Sequence, residues 1–197
     1  MKDYRKVEQE SALKILYYMM AADGEISKEE TEEFREIAKQ ICGDYKADLE
    51  DIVRECDAQI GKAKETHDYY GAIRSAVEDV LSCDLYYGII RTTGGFETIG
   101  YSSVKGQYES MGVDIRALVW DMMNIAYSDG KFHENEEKLI YYMKEKGEIE
   151  PSICLEMENA IKSLLAVRRE EEWIKTANRP YNTIENVLQI LAERKKE

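Results

Sequence analysis

The sequence predicts an all-α protein, a bundle of seven or eight helices. Only two prolines occur, glutamate and lysine are abundant, and β-branched runs are few, which favours helix over sheet. Apolar residues make up 44% of the 197 residues and can supply a sizeable core. Two similar Asp-Gly turns each follow a strongly apolar segment. We therefore expect one domain over residues 1–197 that contains two pseudo-symmetric Asp-Gly helical hairpins.

The first hairpin starts with a helix from about Tyr4 to Ala22. Its apolar residues fall on nearly every side, which predicts a central helix buried by several neighbours. Ser27 is a suitable N-cap for a second helix that runs through Ile41, and Gly43 ends it.

Two more amphipathic stretches cover roughly 45–62 and 68–92. A segment dense in glycine, serine and threonine follows at 94–112. We interpret it as an insertion that forms a loop or a small irregular hairpin.

The second half repeats the pattern. A fifth helix, "DIRALVWDMMNIAYS", is again apolar on most sides, and a sixth runs from about His133 to Lys146. Pro151 suits the first turn of a seventh helix that reaches past Trp173. The segment 175–197 is predicted to carry a last helix, opened by a capping pair at Asn182 and Glu185.

The two turns share a motif, "AADGEISKEE" at 21–30 and "YSDGKFHENEE" at 127–137. An offset of 106 residues places Asp23 on Asp129, Gly24 on Gly130, Ile26 on Phe132 and Glu30 on Glu136. One interpretation is purely structural. The glycines end helices in the left-handed conformation, and Ser27 with Glu30 forms a capping box that contributes ~1 kcal/mol.

A divalent cation is the other interpretation. Asp23 and Asp129 end their helices, where the helix dipole disfavours negative charge, and Glu136 persists although His133 replaces the capping serine. A hard cation would neutralise each aspartate and recruit the glutamate of the same turn, so we expect Asp23 to face Glu30 and Asp129 to face Glu136. The spacing matches the later half of an EF-hand loop, but the earlier ligand positions are apolar or small. The candidate metal ligands are Asp23, Glu25, Glu30, Asp129 and Glu136, with Glu29, Glu134 and Glu137 as additional candidates.

These motifs resemble the paired motifs of the tellurite-resistance protein TerB family. The match covers about 21–37 and 118–143. The family shares its fold with the N-terminal domain of certain membrane-anchored DnaJ-type co-chaperones. The resemblance implies a helical bundle with an acidic metal-binding surface, a role in stress-response or tellurite-resistance-type complexes, and protein partners.

Charge and motif content exclude several functions. The net charge of −13 opposes binding to nucleic acid and to anionic lipid. No apolar segment approaches the ~20 residues of a membrane span, and the four cysteines form no CxxC pair, so we expect a reduced, cytoplasmic protein. "GKAKET" and "GGFETIG" lack the spacing of phosphate-binding loops, and we expect no nucleotide, haem or flavin.

Three functional hypotheses remain. The first is a TerB-like module that binds calcium, magnesium or manganese. The second is a metal-independent protein-interaction bundle, and it differs by ignoring cations in a thermal melt. The third, a metal-carboxylate hydrolase, needs a pocket with an open metal position and a base. We expect a binding module and not an enzyme.

Overall fold

The computed structural model describes residues 5–42, 49–87, 112–130 and 132–176. It confirms a mostly helical bundle, with seven helices in the described ranges. The helices are α1 (Gln9–Met20), α2 (Lys28–Cys42), α3 (Leu49–Lys64), α4 (Tyr69–Asp84), α5 (Ile115–Ala126), α6 (Glu134–Lys146) and α7 (Pro151–Thr176). None of the helices in these ranges is both long and apolar enough to cross a bilayer.

Three short strands were not predicted. β1 (Arg5–Glu8) lies between β2 (Leu85–Tyr87) and β3 (Gly112–Asp114) and pairs antiparallel with both. Two predicted boundaries were therefore wrong: the start of the first helix at about Tyr4 and the end of the fourth helix at about residue 92. Backbone pairing with β1 replaces helical bonds in both segments, and the aromatic pair Tyr86-Tyr87 suits a strand.

The central position predicted for the first helix is confirmed. α1 packs against α2, α3, α4 and α5, and its residues from Ser11 to Met20 are buried with the single exception of Lys14. α5, the fifth helix, packs against α1, α2, α6 and α7. The core of the domain is therefore built around these two adjacent apolar helices.

The packing follows the internal repeat. α2 contacts α5 as well as its own partner α1, and α6 contacts α1 as well as its own partner α5. α3 packs on α1 as α7 packs on α5. This exchange of neighbours is what an approximate two-fold relation between the hairpins requires.

Some predicted elements lie outside the described residues. These are the end of α2 at Gly43, most of the 94–112 insertion, and the last helix opened by Asn182 and Glu185. Cys56 and Cys154 are buried, Cys42 is half-buried, and all three are free thiols.

Candidate functional site

Both Asp-Gly turns adopt the predicted conformation. Gly24 has φ +100° and Gly130 has φ +79°, so each glycine sits in the left-handed region that L side chains rarely adopt. The Asp23 carboxylate accepts a hydrogen bond from the Glu25 N–H at 2.9 Å. This aspartate thus closes the first turn locally.

α2 begins with the predicted capping box. The Ser27 N–H donates to Glu30 Oε2 at 2.6 Å, and the Glu30 N–H donates to Ser27 Oγ at 3.1 Å. The two bonds fix the Glu30 side chain against the first turn of the helix. Glu30 is consequently held in one orientation.

α6 begins in a related way. The His133 N–H donates to Glu136 Oε2 at 2.7 Å, which reproduces the glutamate half of the box. The expectation that capping leaves Glu136 unexplained is therefore wrong, because this bond makes capping one of its roles. This half of the capping box does not require serine at the N-cap, because the donor to Glu136 is the backbone N–H of His133.

The structure brings the two glutamates together. Glu30 is 3% and Glu136 2% exposed, and each carboxyl group shifts the pKa of the other, so the two buried side chains are close neighbours. The 106-residue offset relates the two positions, so the glutamate of one repeat lies next to the equivalent glutamate of the other repeat. This contact places the pair between the two repeats, where α2 and α6 cross onto α5 and α1.

Two buried carboxyl groups in contact cannot both ionise at low cost. Burial, followed by the charge and hydrogen bond of Glu30, raises the pKa of Glu136 to about 8. Burial also raises the pKa of Glu30, while its bonds to Ser27 and Glu136 lower it. The pair therefore holds one proton near neutral pH and titrates as a unit.

Asp23 belongs to the same electrostatic site. It is half-buried, and its charge raises the pKa of both Glu30 and Glu136. Asp129 is half-buried in the equivalent turn of the second repeat. The expected contact of Asp129 with Glu136 stays a prediction.

The other candidate ligands lie on the surface. Glu25, Glu29, Glu134 and Glu137 are all exposed. Glu134 forms an ion pair with Lys138 at 2.7 Å, and that bond lowers its pKa. The described parts of the chain contain no cluster of three or more His, Cys, Asp or Glu side chains arranged to hold a metal ion.

A second pair of interacting carboxylates was not predicted from the sequence. Burial and the charge of Glu33 on α2 raise the pKa of Asp121, on α5, to about 6. Arg168 of α7 lies 3.5 Å from Glu33 and offsets part of this repulsion. The sequence signal that could have revealed it is Asp121 itself, the single carboxylate in the largely apolar helix α5.

A small cleft lies beside the second turn. Its volume is about 210 Å³, and its lining includes the stacked rings of Tyr127 and Phe132, with centroids 4.4 Å apart. The charged residues that line it are Lys162 and Arg169. The cleft contains no carboxylate, so it gives no support to a metal-carboxylate hydrolase.

Comparisons with known proteins add no relative. No protein-family model, curated protein or solved structure matches the chain significantly. The resemblance to the TerB family therefore remains a prediction from the two motifs.

Proposed function

We propose that the chain is a cytoplasmic, TerB-like helical module that binds a divalent cation at the Glu30–Glu136 pair. Calcium, magnesium and manganese are the candidates, because these cations prefer oxygen ligands. The module would act with protein partners in a stress-response or tellurite-resistance-type complex. The observation that carries the proposal is the contact of two buried carboxyl groups from equivalent positions of the two repeats.

A cation would replace the proton that the pair holds. Oε2 of each glutamate is engaged by an N-cap N–H, and the charge of Asp23 acts on both carboxyl groups. Replacing the shared proton by a divalent cation removes the repulsion that raises the pKa of Glu136. Few protein oxygens are offered, so we expect weak, millimolar-range affinity compared with a full calcium loop of ~6–8 ligands.

The test is a cation titration of chelator-treated protein at pH 7. Calcium, magnesium and manganese are added separately to about ten times the dissociation constant while the melting temperature and the released protons are recorded. Binding to the folded state alone at that concentration stabilises it by ~1.4 kcal/mol, which corresponds to a rise of roughly 3–6 °C. A cation bound at the pair also displaces its proton, so we expect binding and acidification together.

Matched variants locate the effect. Glu136→Gln keeps an oxygen for the His133 N–H and an N–H for Glu30, so it preserves the fold while removing the cation response. Glu29→Gln, in the exposed first turn of α2, is the control and should respond as the wild type does. Equal responses of wild type and Glu136→Gln would refute binding at the pair.

The alternative is a metal-independent interaction bundle in which the pair stays protonated and joins the repeats. It is favoured by the lack of a three-ligand cluster in the described residues. A titration in which no cation changes the melting temperature of the wild type, with both capping glutamates intact, would support this alternative.

A further inference from the structure

The cleft beside the second Asp-Gly turn combines apolar walls with positive charge. Its apolar and aromatic walls come from the turn region and from α7, and they are formed by Tyr127, Phe132, Leu165 and Ala166. Lys162 and Arg169, also on α7, supply the charge, and none of the described residues that line the cleft is acidic. A chain with a net charge of −13 offers few such places, so the cleft differs in sign from the chain that carries it.

The two cations of the cleft are not equivalent. The Lys162 ammonium group lies 2.6 Å from Glu158 Oε1, so this ion pair already balances its charge. Arg169 is exposed and forms no ion pair within the described parts of the chain. Its guanidinium group is therefore the cation that a ligand in the cleft can use.

The equivalent place in the first repeat is filled by an aromatic side chain. The Tyr69 ring lies 3.8 Å from the position that a Cβ atom on Gly24 would take, and its hydroxyl donates to the Ala21 carbonyl at 2.5 Å. The 106-residue offset places Gly24 on Gly130. Beside Gly130 lies the Arg169 guanidinium, 2.7 Å from the corresponding Cβ position. A ring of the chain thus lies against the first turn, whereas a cation and a cleft lie beside the second.

The cleft has the size of a small aromatic molecule. Its volume is about 210 Å³, and an apolar cavity of about 150 Å³ already accommodates a benzene ring. The additional space suits one small polar group on the ring. A planar guanidinium binds a carboxylate through two parallel N–H···O bonds, which gives both strength and orientation. A ring that carries one carboxylate therefore matches the walls and the cation together.

We propose that this cleft binds a small aromatic monocarboxylate, with its ring against Phe132 and Leu165 and its carboxylate on the Arg169 guanidinium. Since Glu158 balances Lys162, one uncompensated positive charge remains among the lining residues, which favours a monoanion over a dianion. A neutral aromatic molecule lacks the contact with the guanidinium, and an anion without a ring lacks the apolar contacts. Both should bind more weakly.

Benzoate is the probe that tests this binding, with benzamide and acetate as matched controls. Benzamide has the ring without the charge, and acetate has the charge without the ring. Each is titrated into the isotope-labelled full chain in metal-free buffer at pH 7, while backbone amide signals are followed by NMR. No residue of the Glu30–Glu136 pair lines the cleft, so the outcome does not depend on cation binding at the pair.

The expected result is a saturable shift of the Gly130 and Ala166 amide signals with benzoate. A ligand of this size should bind with a dissociation constant of roughly 1–10 mM. The dissociation constants of benzamide and acetate should be larger by about tenfold, the factor that the loss of one charge-assisted hydrogen bond or of the apolar contacts gives.

Two neighbouring arginines give a matched pair of variants. Arg169→Gln removes the positive charge from the cleft, whereas Arg168→Gln removes the same charge from a side chain that lies 3.5 Å from Glu33 and does not line the cleft. Both arginines are exposed, so both variants should fold. We expect Arg169→Gln to weaken benzoate binding about tenfold and Arg168→Gln to change it by less than about twofold.

A third variant tests the walls of the cleft. Ala166→Phe places a ring of the chain in the cleft and should abolish benzoate binding, while circular dichroism shows that the helices are kept. The proposal is overturned if benzoate gives no saturable shift, if benzamide binds as well as benzoate, or if Arg169→Gln and Arg168→Gln have equal effects.

Discussion

Glu30 and Glu136 are buried as neighbours and each shifts the pKa of the other, although 106 residues separate them in the chain. Each also caps the helix that carries it. One contact therefore joins the start of α2, the start of α6 and the two repeats. A change in the protonation of this pair therefore affects both helix starts and the contact between the two repeats.

The stability of the protein should depend on pH through this pair. The pKa of Glu136 is about 8 in the folded protein, whereas the ordinary value, which applies to the unfolded chain, is 4.5. Between these pH values the folded protein therefore binds more protons than the unfolded chain. The stabilising contribution is complete below about pH 4.5 and is lost as pH rises through 8. We expect the melting temperature of the wild type to fall over this window relative to that of Glu136→Gln, by at least about 4 °C.

Other carboxylates also titrate, so the comparison with the variant isolates the pair. Glu134→Gln removes an exposed carboxylate at the start of the same helix and serves as the control. A melting temperature of Glu136→Gln that runs parallel to the wild type from pH 5 to pH 8 would show that Glu136 is ionised throughout.

Asp23 and Asp129 should differ in their effect on the pair. The charge of Asp23 raises the pKa of Glu30 and of Glu136. Asp23→Asn should therefore lower the apparent pKa values of the pair, whereas Asp129→Asn should change them less. Carboxyl carbon chemical shifts followed by NMR over pH 4 to 9 measure both. Equal shifts in the two variants would mean that the turns contribute symmetrically.

The Ser27 cap should be worth about 1 kcal/mol. Ser27→Ala removes the acceptor of the Glu30 N–H while leaving the backbone bond to Glu30 Oε2. We expect the melting temperature to fall by roughly 2–4 °C. Ser82→Ala is the control, because that hydroxyl is exposed and bonds only to the Glu78 carbonyl within α4. A loss no larger than in the control would contradict the role of the cap.

Replacing either turn glycine by alanine should destabilise the protein, because both glycines have positive φ. Gly24→Ala and Gly130→Ala force alanine into positive φ, which costs ~1–2 kcal/mol each. Arg169 can move away from a methyl group at position 130, because the close atom is the end of a flexible side chain. Gly61→Ala, in α3 with open space around it, should instead stabilise the helix by up to ~1 kcal/mol. Urea unfolding measures all three, and a stabilising Gly24→Ala would contradict the observed turn.

The sequence predicts local features better than contacts. Helical periodicity located α1 and α5, and the capping box at Ser27 follows from residues three positions apart. The contact of Glu30 with Glu136 depends on how α2 and α6 pack, and no local pattern contains it. The local motif instead predicts that each glutamate faces the aspartate of its own turn.

The strands were missed for a related reason. A strand of four residues, such as Arg5–Glu8, shows too little alternation to be distinguished from the helix that follows it. Val7 is fully buried, but its burial comes from pairing with two segments about 80 and 106 residues away. Asp121 escaped notice because its neighbour Glu33 lies on another helix.

The position of β1 in the middle of the sheet has a consequence for insertions into the chain. β2 and β3 flank it, so Tyr87 and Gly112, the described residues on either side of the intervening segment, lie on opposite sides of one strand. At the usual strand spacing these two sides are ~10 Å apart. The anchors are held by backbone bonds to β1, which depend little on the sequence between them. A foreign peptide grafted between Tyr87 and Gly112 should therefore leave the three-stranded sheet, the helical core and the glutamate pair intact.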